Sequence, residues 1–314
     1  MADDTIRRLM ACAREPRIRR DIFHLAKDPL PFRKLKYTVP GRPKCTLYEA
    51  DDFIRAQLRA SRWAVEDEAV QVQAFRCDAS KPKAHQYSAP APDDPWYTAY
   101  NIYGKRSGLS RPEEVILLCA HKDSQSWVDS PGAHDNATGT AGLLEIARVL
   151  AGYEPQRSIW LLFCNEEHWP WTSVAAAEGC RRRGDDLVAV LNCDGLGART
   201  AEEIAADRKV HGMLYTVEEA RWLVELLLKL NEEHGIGLSQ AFRKREQPGD
   251  DDGSFVKAGY PAAVFSGGST AGEYPDYHRE SDVPEHVDLG TVRMITQLTL
   301  AAVLRLDREG APSA

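Results

Sequence analysis

The chain has 314 residues, 43% of them hydrophobic and 28% charged, ordinary values for a globular protein with room for one large or two small domains. A formal net charge of -7 excludes a general electrostatic grip on nucleic acid and reads as plain solubility. The opening Met1-Ala-Asp-Asp-Thr-Ile-Arg-Arg lacks the apolar centre of a secretory leader, and no apolar run reaches the roughly 18 residues that span a membrane.

Residues 1 to about 30 read as two short helices, broken near Pro16 and ended by Pro29 and Pro31. Tyr37-Thr-Val-Pro-Gly41 reads as extended, and Thr46-Leu-Tyr-Glu49 as a capping box opening a helix that runs to about Leu58. Residues 69–76 alternate as a half-exposed strand does, residues 79–95 have the composition of a loop, and 97–103 form a strand ending at Gly104. The pattern then changes to short apolar strands separated by helices. Strands are expected at 115–120, 158–164, 187–191 and 262–265, and helices at 139–151, 173–183, 217–233 and 288–306, with 198–215 ambiguous. Such alternation predicts an α/β domain whose largely parallel sheet is covered on both faces, with the N-terminal segment packed on it. Seven cysteines include no CxxC pair. Cys119, Cys164 and Cys193 lie in or beside apolar runs, as small buried hydrophobes do, and the setting expected is reducing and cytoplasmic.

The chemistry sits just after the strands. His121-Lys-Asp123 follows the first, Glu166-Glu167 the second, and Asn192-Cys-Asp194 the third. Asp135 and Asn136 precede a helix, and Asp276-Tyr-His278 lies in the Gly- and Pro-rich stretch after the strand at 262–265. In parallel sheets ligands gather at the carboxyl ends of strands. Each piece alone has a structural explanation: a hydrogen-bonded His-x-Asp pair, a helix N-terminal acid, a turn aspartate. Together they supply imidazole and carboxylate donors without thiolate, which suits zinc in an open site. Five ligands are too many for one catalytic zinc that keeps a water, and fit two ions about 3.5–4 Å apart sharing a carboxylate.

These pieces, in this order, resemble the M28 family of zinc peptidases. The motifs are His121-Lys-Asp-Ser124, Gly132-Ala-His-Asp-Asn-Ala-Thr-Gly139, Glu166-Glu167 with Ser173, Asn192-Cys-Asp194 and Tyr277-His278, and the resemblance covers roughly residues 97–306. It implies a three-layer αβα fold with a mixed, mostly parallel central sheet flanked by helices. Residues 61–314 would form one zinc-exopeptidase-like unit and residues 1–60 a helical extension packed on it. It implies two co-catalytic zinc ions: Asp135 bridging both, His121 and Asp194 completing one, Glu167 and His278 the other. Asp123 would hydrogen-bond His121, Glu166 would be the general base, and the Asp135–Asn136 peptide would be cis. Tyr277 stands as either an oxyanion donor or an aromatic wall residue. The implied activity is that of a metal-dependent hydrolase, an aminopeptidase acting on peptide or aminoacyl substrates. A carboxypeptidase or amidase of the same fold, with an arginine such as Arg279 as carboxylate anchor, is the alternative. A single-zinc glutaminyl-cyclase-like acyltransferase and a non-catalytic binding domain stand further off, because ligands and base are all present.

There are departures. His134 stands where the family usually has Asp, and is expected to be a neighbour rather than a ligand. After the glutamate pair, His168-Trp-Pro-Trp-Thr-Ser173 replaces Gly-Leu-x-Gly-Ser, so Trp169 and Trp171 either pack under the next helix or reshape the pocket. Asp250-Asp-Asp252 falls where the family often carries Ser-Asp-His; the run reads as a structural Asp251 in a solvated acidic stretch, or as a reader of a substrate amine.

Overall fold

The computed structural model describes residues 2–312. Helices α1 (Ala2–Met10) and α2 (Glu15–Ala26) form the expected N-terminal pair. The break precedes Pro16, which sits in the first turn of α2, where its missing N–H is not needed. Residues 37–41 pair with no strand. Helix α3 (Thr46–Ala60) starts at the expected residue, but not through a capping box: its N-cap is Cys45, and the Thr46 hydroxyl accepts from the Lys34 N–H at 3.0 Å instead.

Strand β1 (Ala64–Ala74) begins earlier than its alternation indicated. The stretch expected to be a plain loop contains a two-stranded ribbon, β2 (Arg76–Cys77) with β3 (Tyr87–Ser88), and a tight turn at Lys83–His85. Strand β4 (Tyr97–Arg106) runs through Gly104, where a Cβ would lie 2.8 Å from a Leu58 methyl; the missing side chain lets α3 seat on the sheet. There follow β5 (Arg111–His121), α4 (Thr138–Val149), β6 (Arg157–Cys164), β7 (His168–Trp169), α5 (Thr172–Arg183) and β8 (Asp186–Asp194). The ambiguous region resolves into α6 (Ala201–Ala205), opened by a Thr200/Glu203 capping box, and β9 (Val210–Tyr215). After α7 (Arg221–Glu233) come β10 (Ser239–Lys244) and α8 (Asp250–Lys257), neither of which was expected, then β11 (Ala263–Gly267) and α9 (Leu289–Glu309).

The main sheet runs β10-β9-β11-β8-β5-β6-β4-β1-β7. Strands β11, β8, β5 and β6 are mutually parallel, and the flanking pairs β9/β11 and β4/β6 are antiparallel. Register brings the parallel strands to one finish line: His121 lies opposite Cys164, and Asp194 opposite Gly267. Alternation along β5 divides the core into two layers. Ile116, Leu118 and Ala120 join a cluster with Ile22, Ile54, Leu144 and Leu300 from α2, α3, α4 and α9. Val115, Leu117 and Cys119 join the opposite one with Ala176 and Phe255 from α5 and α8. The fold is thus a three-layer αβα sandwich.

Helix α9 is, by length and composition, apolar enough to cross a membrane, contrary to the reading of the sequence; here 72% of its apolar window is buried as a core helix. The N-terminal helices are part of the same core, since Ile6, Ile18, Ile22 and Leu25 are fully buried in it.

One ion pair ties α3 to the end of β5. Lys122 Nζ lies 2.8 Å from Asp51 Oδ1 with both side chains fully buried, and donates to Asn165 Oδ1 at 2.8 Å. Removing one partner strands a buried charge. Asp51→Asn should therefore cost about 3–5 kcal/mol in urea unfolding, most of it recovered in the Asp51→Asn/Lys122→Met double variant. An unchanged unfolding midpoint for the single variant would falsify this.

Candidate metal centre

His121 is the last residue of β5. Its Nε2 points to Asp135 Oδ1 at 2.9 Å and to Asp194 Oδ1 at 3.4 Å. His278, in the loop after β11, points its Nε2 to Asp135 Oδ2 at 3.2 Å and to Glu167 Oε1 at 3.6 Å. The two oxygens of Asp135 therefore face two different groups, His121/Asp194 and Glu167/His278. Within each group of three the donor atoms lie within 4.8 Å of one another. All five expected ligands are brought together.

The donor set fits zinc: imidazole nitrogens and carboxylate oxygens, no thiolate, closely gathered. Asp194 Oδ1 is also buried with only the long 3.4 Å approach of His121 Nε2 in place of a good hydrogen bond, which costs free energy unless a cation takes its lone pairs. These residues could hold two ions, with Asp135 between them.

The supporting contacts explain the aim of each ligand. Asp123 Oδ1 lies 3.3 Å from His121 Nδ1, as expected. The same carboxylate accepts from the Glu166 and Glu167 N–H groups at 3.0 and 2.9 Å and sits 2.8 Å from His168 Nδ1. Gln125 Nε2 donates to Asp135 Oδ2 at 2.7 Å and to Glu167 Oε1 at 2.8 Å. Asp282 accepts from the backbone N–H of His134 and of Asp135, at 3.0 and 3.1 Å, and pairs with His134 Nδ1 at 2.9 Å. His134 is thus turned away from the ligand group. The Asp135–Asn136 peptide is cis, and Asn136 bridges to β8 by donating to the Cys193 carbonyl at 2.9 Å. The Ala84 carbonyl is 2.7 Å from His278 Nδ1. Gln125, His168, Asp282 and Ala84 were not singled out from the sequence. Gln125 and His168 sit next to recognised motifs and could have been; Asp282 and Ala84 carry no local signal.

Glu166 lines a cleft of about 180 Å³ with His121, Glu167, Asp194 and His278. Its Oε2 is buried without a hydrogen-bond partner. Burial, then the charges of Asp251 and Asp250, push its carboxyl well above the usual range. Burial pushes Asp194 up to about 6 against the pull of His121. Burial also opposes ionisation of Asp135, but hydrogen bonds from His121 and His278 hold it well below the usual range. A larger cavity of about 330 Å³ adjoins the cleft, and Asp135, Asp194, Asp250 and Tyr277 line both. Tyr277 is stacked on His278 with ring centres 3.8 Å apart.

Three expectations are corrected. Trp169 is 48% exposed rather than packed under the following helix, and of the two readings of Trp171 the pocket one holds, since it lines the cleft. The acidic run is not a solvated stretch. Asp251 and Asp252 are fully buried in the first turn of α8, Asp251 accepting from the Cys164 thiol at 3.0 Å and Asp252 pairing with Arg245. Arg279 lines neither cavity.

Comparison with known proteins places the chain. The family model for peptidase family M28 matches residues 101–303, and the chain belongs to that family. A probable zinc metalloprotease of Pyrenophora teres f. teres is 26% identical over 251 residues, 67% of this chain and 52% of the relative. The match thus spans about half the length of the relative. Among solved structures, the Legionella pneumophila LapA aminopeptidase superposes with a TM-score of 0.73 at 16% identity, over 98% of this chain and 75% of that one. Bacteroides thetaiotaomicron glutaminyl cyclase superposes with a TM-score of 0.69 at 17% identity, over 93% and 98%. At such identities the likeness shows a shared fold.

Two predictions concern the centre without reference to turnover. In the metal-free protein burial opposes the imidazolium form of His278, but Asp135 and Glu167 overcome it and raise its pKa to about 10. His121 is likewise raised, against burial, by Asp194 and Asp123. Both rings are then protonated near pH 7 and must lose a proton to bind zinc. Zinc loading should release protons, and affinity should rise with pH and weaken as pH falls. Calorimetry in buffers of different ionisation heat would show no net release if the idea is wrong. Asp123→Asn, which removes the shared acceptor, should lower zinc affinity about 10–100-fold in chelator competition.

Proposed function

We propose that the chain is a two-zinc exopeptidase acting as an aminopeptidase on peptide or aminoacyl substrates. The observation that carries this reading is the pair of three-residue groups sharing Asp135, facing a cleft that also holds the unpaired carboxylate of Glu166. His121, Asp135 and Asp194 would hold one ion, and Asp135, Glu167 and His278 the other. Bound there, zinc would supply Lewis acidity toward the scissile carbonyl and the attacking water.

The chain's own residues do the rest. Glu166 takes the proton from the attacking water and returns it to the leaving amine. Asp123 fixes both His121 and the backbone that carries Glu166 and Glu167. Tyr277 keeps its phenolic proton, since burial and then the charge of Asp135 push its pKa well above the usual value. That lets it donate to the oxygen on which charge develops. Asp250, which lines both cavities and is paired with Arg245, is the acid a substrate ammonium would share.

One observation favours the second reading, a carboxypeptidase or amidase. Arg243 lines the larger cavity and has no ion-pair partner among the described residues, so it is placed to take a substrate carboxylate. A single-zinc acyltransferase leaves the His121–Asp135–Asp194 group without a use, and a binding domain leaves Glu166 without one.

Paired substrate panels, free and blocked at the amine, separate these readings. Hydrolysis confined to free-amine substrates, lost with chelator and restored by zinc, is expected; activity only on amine-blocked substrates with a free carboxylate refutes the aminopeptidase. Glu166→Gln should lose about 10²–10⁴-fold in kcat with zinc content unchanged.

A further inference from the structure

Residues 76–96 leave the edge of the sheet between β1 and β4 and cross to the loop that carries His278. They precede residue 101, where the family match begins. The excursion is braced at its neck: Arg76 makes two bonds to Asp94, at 2.6 and 2.7 Å, and the Asp78 N–H donates to the Gln86 carbonyl at 2.9 Å. At its tip the turn Lys83–His85 is clamped on both sides of the ligand loop. Lys83 Nζ is 2.9 Å from Glu280 Oε1, and His85 Nε2 is 2.8 Å from Glu273 Oε1. Between these clamps Ala84, nearly buried, presents its carbonyl to His278 Nδ1 at 2.7 Å. Tyr87 closes the arrangement, its ring edge-on to His278 at 5.9 Å and tilted on Trp127 at 5.1 Å.

A carbonyl accepts only from a protonated Nδ1, so the proton that zinc displaces comes from Nε2, the nitrogen that faces Asp135 and Glu167. Asp135 and Glu167 face the other nitrogen, Nε2, so at Nδ1 the Ala84 carbonyl is what sets the ring's angle. The backbone of His278 is in the left-handed region (φ 53°) in an irregular loop, and its remaining ring neighbours are Tyr277 and Trp127. His121, by contrast, ends a core strand and is held by the buried carboxylate of Asp123.

We propose that residues 76–96 are a strap whose Ala84 carbonyl orients His278, so that occupancy of the Asp135–Glu167–His278 group depends on the strap while that of the His121–Asp135–Asp194 group does not. Lys83 and His85 are positioning residues in this scheme: neither belongs to the two metal groups, and they act through the turn between them. The proposal rests on the two-ion reading of the centre.

The test reads metal content rather than turnover. The full chain is loaded with zinc, equilibrated against a graded chelator, and the zinc retained per chain is counted; cobalt(II) absorption follows the same titration site by site. Replacing residues 80–90 by a Gly-Ser linker of equal length should weaken one of the two equivalents about 10–100-fold and leave the other at its wild-type midpoint. Lys83→Ala/His85→Ala should shift the same equivalent in the same direction by a smaller factor, because exposed ion pairs are individually weak. Lys83→Arg with His85 intact should titrate as wild type. Melting of the metal-free proteins controls for folding. Unchanged midpoints for both equivalents in the linker variant overturn the strap, and so does an equal shift of both. A wild-type chain that takes up only one equivalent overturns the two-ion reading instead, and the strap is then judged by whether the linker weakens that one.

Discussion

The site depends on one buried carboxylate. Asp123 stands just past the end of β5 and collects the ring of His121, the ring of His168 and the backbone N–H groups of Glu166 and Glu167. Two of those belong to residues that face the cleft from the neighbouring strand end, so a single side chain sets the spacing between the first imidazole and the glutamate pair. Burial opposes its ionisation, but hydrogen bonds from His121 and His168 hold its pKa well below the usual carboxylate range. An acceptor with this many donors keeps its charge at any pH near neutrality. Strand pairing alone would leave the imidazole of His121 free to turn about its side-chain bonds; the carboxylate removes that freedom before any ion arrives.

A centre built from so many acids must be held together when no cation is bound. Two buried cations approach it from behind. Lys122 alternates with His121 and Asp123 along the extended chain, so its side chain points away from the cleft to Asp51 and Asn165. Arg33 is fully buried and donates to the carbonyls of Leu25, Lys122, Pro131 and Gly132. Burial pulls its pKa down to about 10, while Asp123, Asp282, Asp135 and Glu167 oppose the fall. It therefore pins the chain just before Asp135 and offsets part of the charge beside it. Both partners, Asp51 and Arg33, come from the first 60 residues. The N-terminal segment thus helps build the site from below, besides covering the sheet.

This division also explains what could be read from the sequence. Three of the candidate ligands were legible because His121, Glu167 and Asp194 end or follow apolar strands of a parallel sheet, which finish together; Asp135 and His278 stand in loops and were legible through their motifs. Arg33, Asp51 and Asp282 were not legible, because their partners lie far along the chain and nothing in their own neighbourhoods marks them. Thr46 misled through chemistry rather than distance: its hydroxyl had a better partner in the Lys34 N–H than in its own helix. Strand β10 and helix α8 were missed because both are short, and the strand is mostly exposed with no apolar face. The two tryptophans were left open between burial and the pocket because size and hydrophobicity suit both; Trp169 is exposed and Trp171 lines the cleft.

The walls of the cleft divide in the same way. The ligands, Asp123 and Glu166 lie within the stretch shared with the family, residues 101–303. Opposite them stand Phe75 and Tyr87, which come from outside it, with Trp127 and Trp171 from within. Phe75 meets Trp127 edge-on at 5.7 Å, and Trp127 meets His278 at 5.0 Å, so the aromatic wall is continuous from the sheet edge to a candidate metal ligand. An apolar wall this close lowers the local dielectric and strengthens every charge interaction across a narrow cleft. It also makes the opening depend on rings that other members of the fold need not carry. On the proposed reading, the reaction resides in the ligand groups, Asp123 and Glu166, and the choice of substrate in the aromatic wall built from residues 75–87, which lie outside the family match, and from the turn at 168–171, which lies inside it. Trp169 and Trp171, in the segment that departs from the family's Gly-Leu-x-Gly-Ser, belong to that second part of the site.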